Sequence, residues 1–214
     1  MSTIHLPLTA SHWNIRYSPG MPIHPTTAGS SWKFSFPVDT GHHCPAADTQ
    51  PPNYNQSACH HVDYVTAPYT TSILNKTSLS VTYEVTGVNP MLDYRTQFEN
   101  DQTNTLGHTV RLLIEHTNDS SLRNSTYRWW SNPLHIDLDA DMNQGSKTLT
   151  VSLDPSQWSD VNGQFGNTQL SGFHDALQHV GNLGMTFGGG YFFGHGLFLS
   201  SGSADFTVTD YQVD

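Results

Sequence analysis

The segment His135-Ile-Asp137-Leu-Asp139-Ala-Asp141 carries one histidine and three carboxylates at alternate positions. On an extended strand these side chains share one face at intervals of about 6.8 Å. Like charges at that spacing repel, which favours a counterion. Ca2+ takes about six to eight oxygens at roughly 2.3 to 2.6 Å, and Asp137, Asp139, Asp141 and Asn143 supply several if the chain curls. The regular alternation predicts instead that the segment stays extended, as a solvated acidic face that discourages edge pairing. In an enzyme, Asp137, Asp139 or Asp141 with His135, or His195 with Tyr191, provide the acid and base.

Tyr127-Arg128-Trp129-Trp130-Ser131 is the densest aromatic cluster. On a strand its two indoles face opposite ways, so one belongs to the core. The other, with Arg128 at i+2 from Trp130, makes a stacking platform on which the apolar face of a sugar lies while Arg128 bonds hydroxyls. Trp158 is a further ligand-binding candidate.

His42-His43-Cys44 and Cys59-His60-His61 mirror each other, and the chain has 2 cysteines in all. A Cys44–Cys59 disulfide predicts an oxidising compartment and stabilises by about 3 kcal/mol on chain-entropy grounds. Four converging histidines would hold copper or zinc. Strand geometry splits each pair, however, and a closed zinc site needs four ligands, so a transition metal is not the expectation here. Among these four, His61 alone opens a strand pattern, His61-Val-Asp63-Tyr-Val, that aims it at a site with Asp63. His174 and His179, five residues apart, lie about 140° round a helix and cannot share a ligand. Gly188-Gly-Gly190-Tyr-Phe-Phe193-Gly194-His195-Gly196 lacks the Lys-Ser/Thr of a phosphate loop and reads as a bulged strand.

These residues must be positioned by β structure. Period-two alternation places Trp32, Phe34, Phe36 and Val38 on one face, then Leu79 to Val85, Val110 to Ile114, Leu134 to Ala140, Leu149 to Leu153, Leu183 to Phe187, and Phe206 with Val208. One short helix is predicted near 172–180, where Phe173, Ala176, Leu177 and Val180 follow i, i+3, i+4, i+7, with Ser171 as N-cap and Gly181 past its end. About ten strands and one helix predict an all-β, two-sheet antiparallel jelly-roll sandwich, built as one domain over 1–214 with an irregular wrap over 1–30. Eight Lys+Arg against 18 Asp+Glu give a net charge of -10. That excludes nucleic acid and anionic membrane as expected partners, and no apolar run approaches the roughly 18 residues of a membrane helix. A secreted or periplasmic protein whose leader has been removed is the expectation.

The segment around Ile136-Asp137 is similar to the Glu-Ile-Asp-x-x-Glu strand of retaining β-glucanases with a concanavalin-like jelly roll. His135 stands where that family's nucleophile would be, and Asp141 lies near the place of its acid/base. The tail, Gly202-Ser-Ala-Asp-Phe206-Thr-Val208-Thr-Asp210-Tyr211-Gln-Val213, resembles the last strand of galactose-binding-like jelly-roll modules. With Thr186-Phe187-Gly188-Gly189-Gly190 and the Tyr127 to Ser131 cluster, it also resembles a group of uncharacterised secreted bacterial proteins. The resemblance covers the C-terminal 100 residues or so, and implies a carbohydrate partner bound through an aromatic platform with a structural Ca2+ ion. The leading expectation is thus a carbohydrate-binding protein, with a glycan-cleaving hydrolase or lyase as the alternative and a His-dependent copper or zinc protein as a third.

Overall fold

A computed structural model describes residues 2–17, 25–38, 60–94, 107–119, 124–189 and 196–214. Its strands are β1 (Ile4–His5), β2 (Asn14–Tyr17), β3 (Thr26–Ala28), β4 (Ser31–Ser35), β5 (Val62–Pro68), β6 (Ser78–Tyr94), β7 (His108–His116), β8 (Arg128–Ser131), β9 (Ile136–Asp137), β10 (Lys147–Ser152), β11 (Trp158–Asp160), β12 (Val180–Gly189) and β13 (Leu197–Val213). Every pairing between these strands is antiparallel. The first sheet runs β10-β6-β13-β4-β3, with β1 on the end of β13. The second runs β2-β5-β12-β7-β8-β11, with β9 beside β7. One pair, Leu197↔Val62, carries the hydrogen-bonded path from one sheet to the other. The result is an all-β, two-sheet antiparallel jelly-roll sandwich.

The two inner faces meet in an aromatic core. Phe187 on β12 lies 5.5 Å from Phe34 and 5.3 Å from Phe206, ring centre to ring centre, which joins the second sheet to the first. Trp13 packs on Trp32 at 4.8 Å and on Tyr211 at 5.5 Å. Tyr211, wholly buried, donates its hydroxyl to the Gly184 carbonyl at 3.1 Å. Aromatic pairs in such offset and edge-on arrangements add to the area term that dominates burial.

The described residues of the first thirty include three short strands. Ile4–His5, Asn14–Tyr17 and Thr26–Ala28 add to strands of both sheets, and Leu6, Trp13 and Ile15 enter the core. Short apolar alternation around Trp13 and Ile15 drives this, anchored where the Trp13 indole N–H donates to the Pro7 carbonyl.

The helix spans Leu170–Gln178, about two residues earlier than its expected place, and buries Phe173, Ala176 and Leu177. Its N-cap is Gln169, which makes no side-chain cap bond, so Ser171 lies inside the first turn. Gly181 serves β12 rather than a helix end. A Cβ there would stand 2.6 Å from the Thr117 Cα, so the glycine lets β12 pass close to the end of β7.

The larger departure is at Leu134 to Asp141. Only Ile136–Asp137 is strand, and Leu138–Asp141 forms a turn of helix, α1, which makes the Leu170–Gln178 helix α2. Asp137 accounts for the change: its carboxylate accepts the Ala140 amide at 3.0 Å, an N-cap bond that competes with continued extension. Ile136 and Leu138 still reach the core, while Leu134 stays exposed.

Candidate functional site

Alternation along β7 sends Val110, Leu112 and Ile114 inward and leaves Thr109, Arg111, Leu113 and Glu115 on the outward face of the second sheet. Register brings Arg128 opposite Glu115 and Trp130 opposite Leu113. From the other side β12 brings Asn182 opposite Glu115 and Thr186 opposite Arg111, and β5 sets Tyr64 against Thr186. Arg16 on β2 pairs with Tyr64 and completes the strip. Polar and charged side chains thus run across five adjacent strands, and several are buried there.

Glu115, 1% exposed, is the centre of this strip. Its Oε2 accepts from Asn182 Nδ2 at 3.0 Å and lies 3.3 Å from Arg16 Nη2. Oε1 faces Arg128 Nε at 3.4 Å, beyond good bonding geometry. Burial pushes the Glu115 carboxyl above the ordinary carboxylate range, against the pull of Arg16 and Arg128. Arg128 is gripped harder by Asp119, whose Oδ2 takes Nε at 2.8 Å and Nη2 at 2.7 Å. Its guanidinium also sits 5.2 Å from the Tyr64 ring centre, with Arg16 at 5.9 Å. Desolvation raises the Tyr64 phenol to about 12 despite Arg128, so it remains a neutral donor and acceptor. Burial lowers Arg111 to about 10, which leaves it a cation at neutral pH; its Nη1 donates to the Ser131 carbonyl at 3.0 Å. Thr186, 1% exposed, has a hydroxyl with no hydrogen-bond partner among the described residues.

The expected aromatic platform is corrected by burial. Trp129 and Trp158 are inside the sandwich, both packed on Phe173, and offer no face to a ligand. Their indole N–H groups donate to the Thr126 and Ser152 carbonyls. Trp130 does share the outward face with Arg128, as the i+2 spacing requires, but only 5% of it is exposed. Arg128 is committed to Asp119, Glu115 and Tyr64 rather than held free for hydroxyls.

The acidic segment is dispersed as well. With the chain curled at α1, Asp137 caps that turn. Asp139 holds His108 Nδ1 at 2.8 Å, and Asp141 receives the Tyr83 hydroxyl and Lys147 Nζ, each at 2.5 Å. Asn143 bonds the Gly87 amide and carbonyl with its side chain, and His135 Nδ1 meets the Pro133 carbonyl at 2.8 Å. Asp137, Asp139 and Asp141 thus each bond a different partner, and among the described residues they do not form a cluster of three His, Cys, Asp or Glu ligand atoms.

His61 and Asp63 do come together, Nε2 to Oδ1 at 3.2 Å, with His61 buried. Gly196, at φ +92°, closes over them: a Cβ there would come within 2.8 Å of the Asp63 carboxylate. His42, His43, Cys44, Cys59, Tyr191 and His195 lie outside the described residues.

Arg16, Tyr64, Arg111, Glu115, Asp119, Asn182 and Thr186 were not singled out by residue type. On β7 Thr109, Arg111 and Glu115 alternate with Val110, Leu112 and Ile114 as in any sheet packed on one side, so the pattern gives no signal for them. What sets Arg111 and Glu115 apart is their burial on the outward face.

No family model matches the sequence, and no curated protein matches it. Among solved structures the chain is similar to a xylan-binding module, CBM15, at 10% identity and a TM-score of 0.46, over 97% of this chain and 96% of that one. It is also similar to a Bacillus licheniformis beta-glucanase at 12% identity and a TM-score of 0.45, over 100% and 98% respectively.

Proposed function

We propose that the protein binds carbohydrate, and that the ligand lies over the outward face of the second sheet around Glu115. The observation that carries this reading is the polar strip itself. A carboxylate, three guanidiniums, an amide, a phenol and a hydroxyl are gathered on one sheet face, and the buried Thr186 hydroxyl and Glu115 Oε1 are left without a hydrogen bond among the described residues. Both atoms are covered, so a saccharide meets the strip through its solvent-reaching groups, whose donors and acceptors match those of sugar hydroxyls. Arg16 and Asn182 reach solvent at the rim of the strip and are the first groups a saccharide meets. Recognition in this scheme rests on hydrogen bonds, not on an exposed indole. A secreted or periplasmic place of action accords with such a partner.

The test is affinity electrophoresis and calorimetry against a panel of soluble polysaccharides, with Arg16→Ala and Asn182→Ala beside the wild type. A hydrogen bond to a charged group contributes about 1.5 to 3 kcal/mol, so Arg16→Ala should weaken binding at least roughly tenfold. Absence of binding across the panel, or unchanged affinity in both variants, overturns the proposal.

One observation favours a second reading, glycan cleavage. A carboxyl raised by burial is what a general acid needs, and Glu115 has one, with the Asp119 carboxylate across Arg128 from it. Release of oligosaccharide products that ceases in Glu115→Gln would establish it; binding without product release selects the non-catalytic reading.

A further inference from the structure

We infer that His116, Asp175 and His179 form a binding site for a divalent transition metal ion on the flank of the sandwich, independent of the carbohydrate reading. Each residue offers one ligand atom, and the three atoms lie within 4.8 Å of one another. His116 Nε2 is 3.4 Å from Asp175 Oδ2, and His179 Nδ1 is 2.9 Å from Asp175 Oδ1. Tetrahedral zinc with bonds of about 2.0 to 2.2 Å places neighbouring ligand atoms roughly 3.3 Å apart. The carboxylate approaches each imidazole at that scale, Oδ2 toward His116 and Oδ1 toward His179, and a bound ion would draw one ligand atom from each residue together from within 4.8 Å.

The elements hold this geometry for definite reasons. Asp175 and His179 stand one turn apart at the end of α2, where the His179 amide still bonds the Asp175 carbonyl at 2.9 Å. The His116 ring is stacked flat on Tyr127 at 4.2 Å with 7° between planes, which fixes the direction of Nε2. Gly181 and Gly172 set the distance, since a Cβ at either would come within about 2.6 Å of Thr117 or Thr126. Two imidazoles and one carboxylate suit zinc, copper or nickel rather than the all-oxygen shells of calcium and magnesium. Asp175 and His179 are about half exposed, so an ion enters from solvent and keeps water in its remaining position.

Calorimetric titration of the whole chain with Zn2+ at pH 7.5 tests this. One equivalent should bind the wild type. His179→Ala and Asp175→Asn, both on exposed side chains, should each weaken that binding at least tenfold. His174→Ala, on the same helix but outside the group, should leave it unchanged. The proposal is overturned if the wild type takes up no equivalent, if both site variants bind as the wild type does, or if His174→Ala is the variant that loses the ion.

Discussion

Arg128→Ala removes the cation that separates two buried carboxylates, and its consequence can be worked from the geometry. Asp119 loses both of its bonds to the guanidinium, and Glu115 loses the cation 3.4 Å from Oε1. Breaking one side of a buried pair costs about 3 to 5 kcal/mol, because the remaining charge has no compensation. Arg16 still reaches Glu115 at 3.3 Å, but it is half exposed and screened by water, so its help is small. A loss near 3 kcal/mol is expected, which for a chain of this length lowers the melting temperature by roughly 6 to 12 °C.

The sign of the pH dependence is fixed too. Without Arg128 the Glu115 carboxyl, already raised by burial, loses one of the two cations that pull it down, so its folded-state affinity for a proton rises further. A raised acid is at its most stabilising below its unfolded value of about 4, and that contribution is lost as pH climbs through the folded one. The deficit of the variant should therefore shrink on going from pH 7 to pH 4.5 in urea denaturation. It should also be smaller by at least about 1 kcal/mol in a Glu115→Gln background, since the neutral amide no longer needs the cation. A deficit under about 1 kcal/mol at pH 7, or one that grows in acid, refutes the view of Arg128 as the cation this strip depends on.

Two further outcomes follow from other parts of the molecule. Gly184→Ala places a Cβ about 2.1 Å from the Val65 carbonyl, in the middle of the second sheet where neither backbone can retreat; a loss of about 3 kcal/mol or more in chemical denaturation is expected, and a near-neutral result would show that β5 and β12 separate easily. Asp205 works against its own burial, yet bonds to Lys33 Nζ at 2.7 Å and Ser35 Oγ at 2.5 Å hold its carboxyl below the ordinary range. Its stabilisation is present above about pH 4 and fades as pH falls through the lowered folded value. Asp205→Asn should then cost less than about 1 kcal/mol at pH 6, with the gap to wild type closing by pH 3; a gap that widens in acid contradicts the assignment.

Residue order alone conveyed the jelly roll well where alternation was long and one-sided. Leu79 to Val85 and Val110 to Ile114 each lie within observed strands, β6 and β7. It failed where a local polar contact competes with pattern. Asp137 continues an alternation on paper, but its carboxylate binds the Ala140 amide and turns the chain. The two tryptophans at 129 and 130 were separable in direction but not in depth, because strand geometry says which face a side chain takes and nothing about what covers that face. The strip around Glu115 was hidden for the related reason that Arg16, Tyr64, Arg128 and Asn182 meet only through register between strands remote in sequence. Nothing in their spacing along the chain announces it.

The place of β13 bears on how the protein is made. This strand lies between β6 and β4, and its far end reaches back to Ile4 through Val213. On a ribosome, β4 and β6 are both synthesised well before the strand that joins them. Until β13 emerges, each holds an open edge with unpaired amides and carbonyls, in a topology whose contacts span nearly the whole chain. Folding of the first sheet is therefore a late event, and the nascent chain passes through an interval in which edge-to-edge association with other copies competes with completion. Slow translation through the β13 codons would lengthen that interval, and a chaperone that shields strand edges would matter most during it.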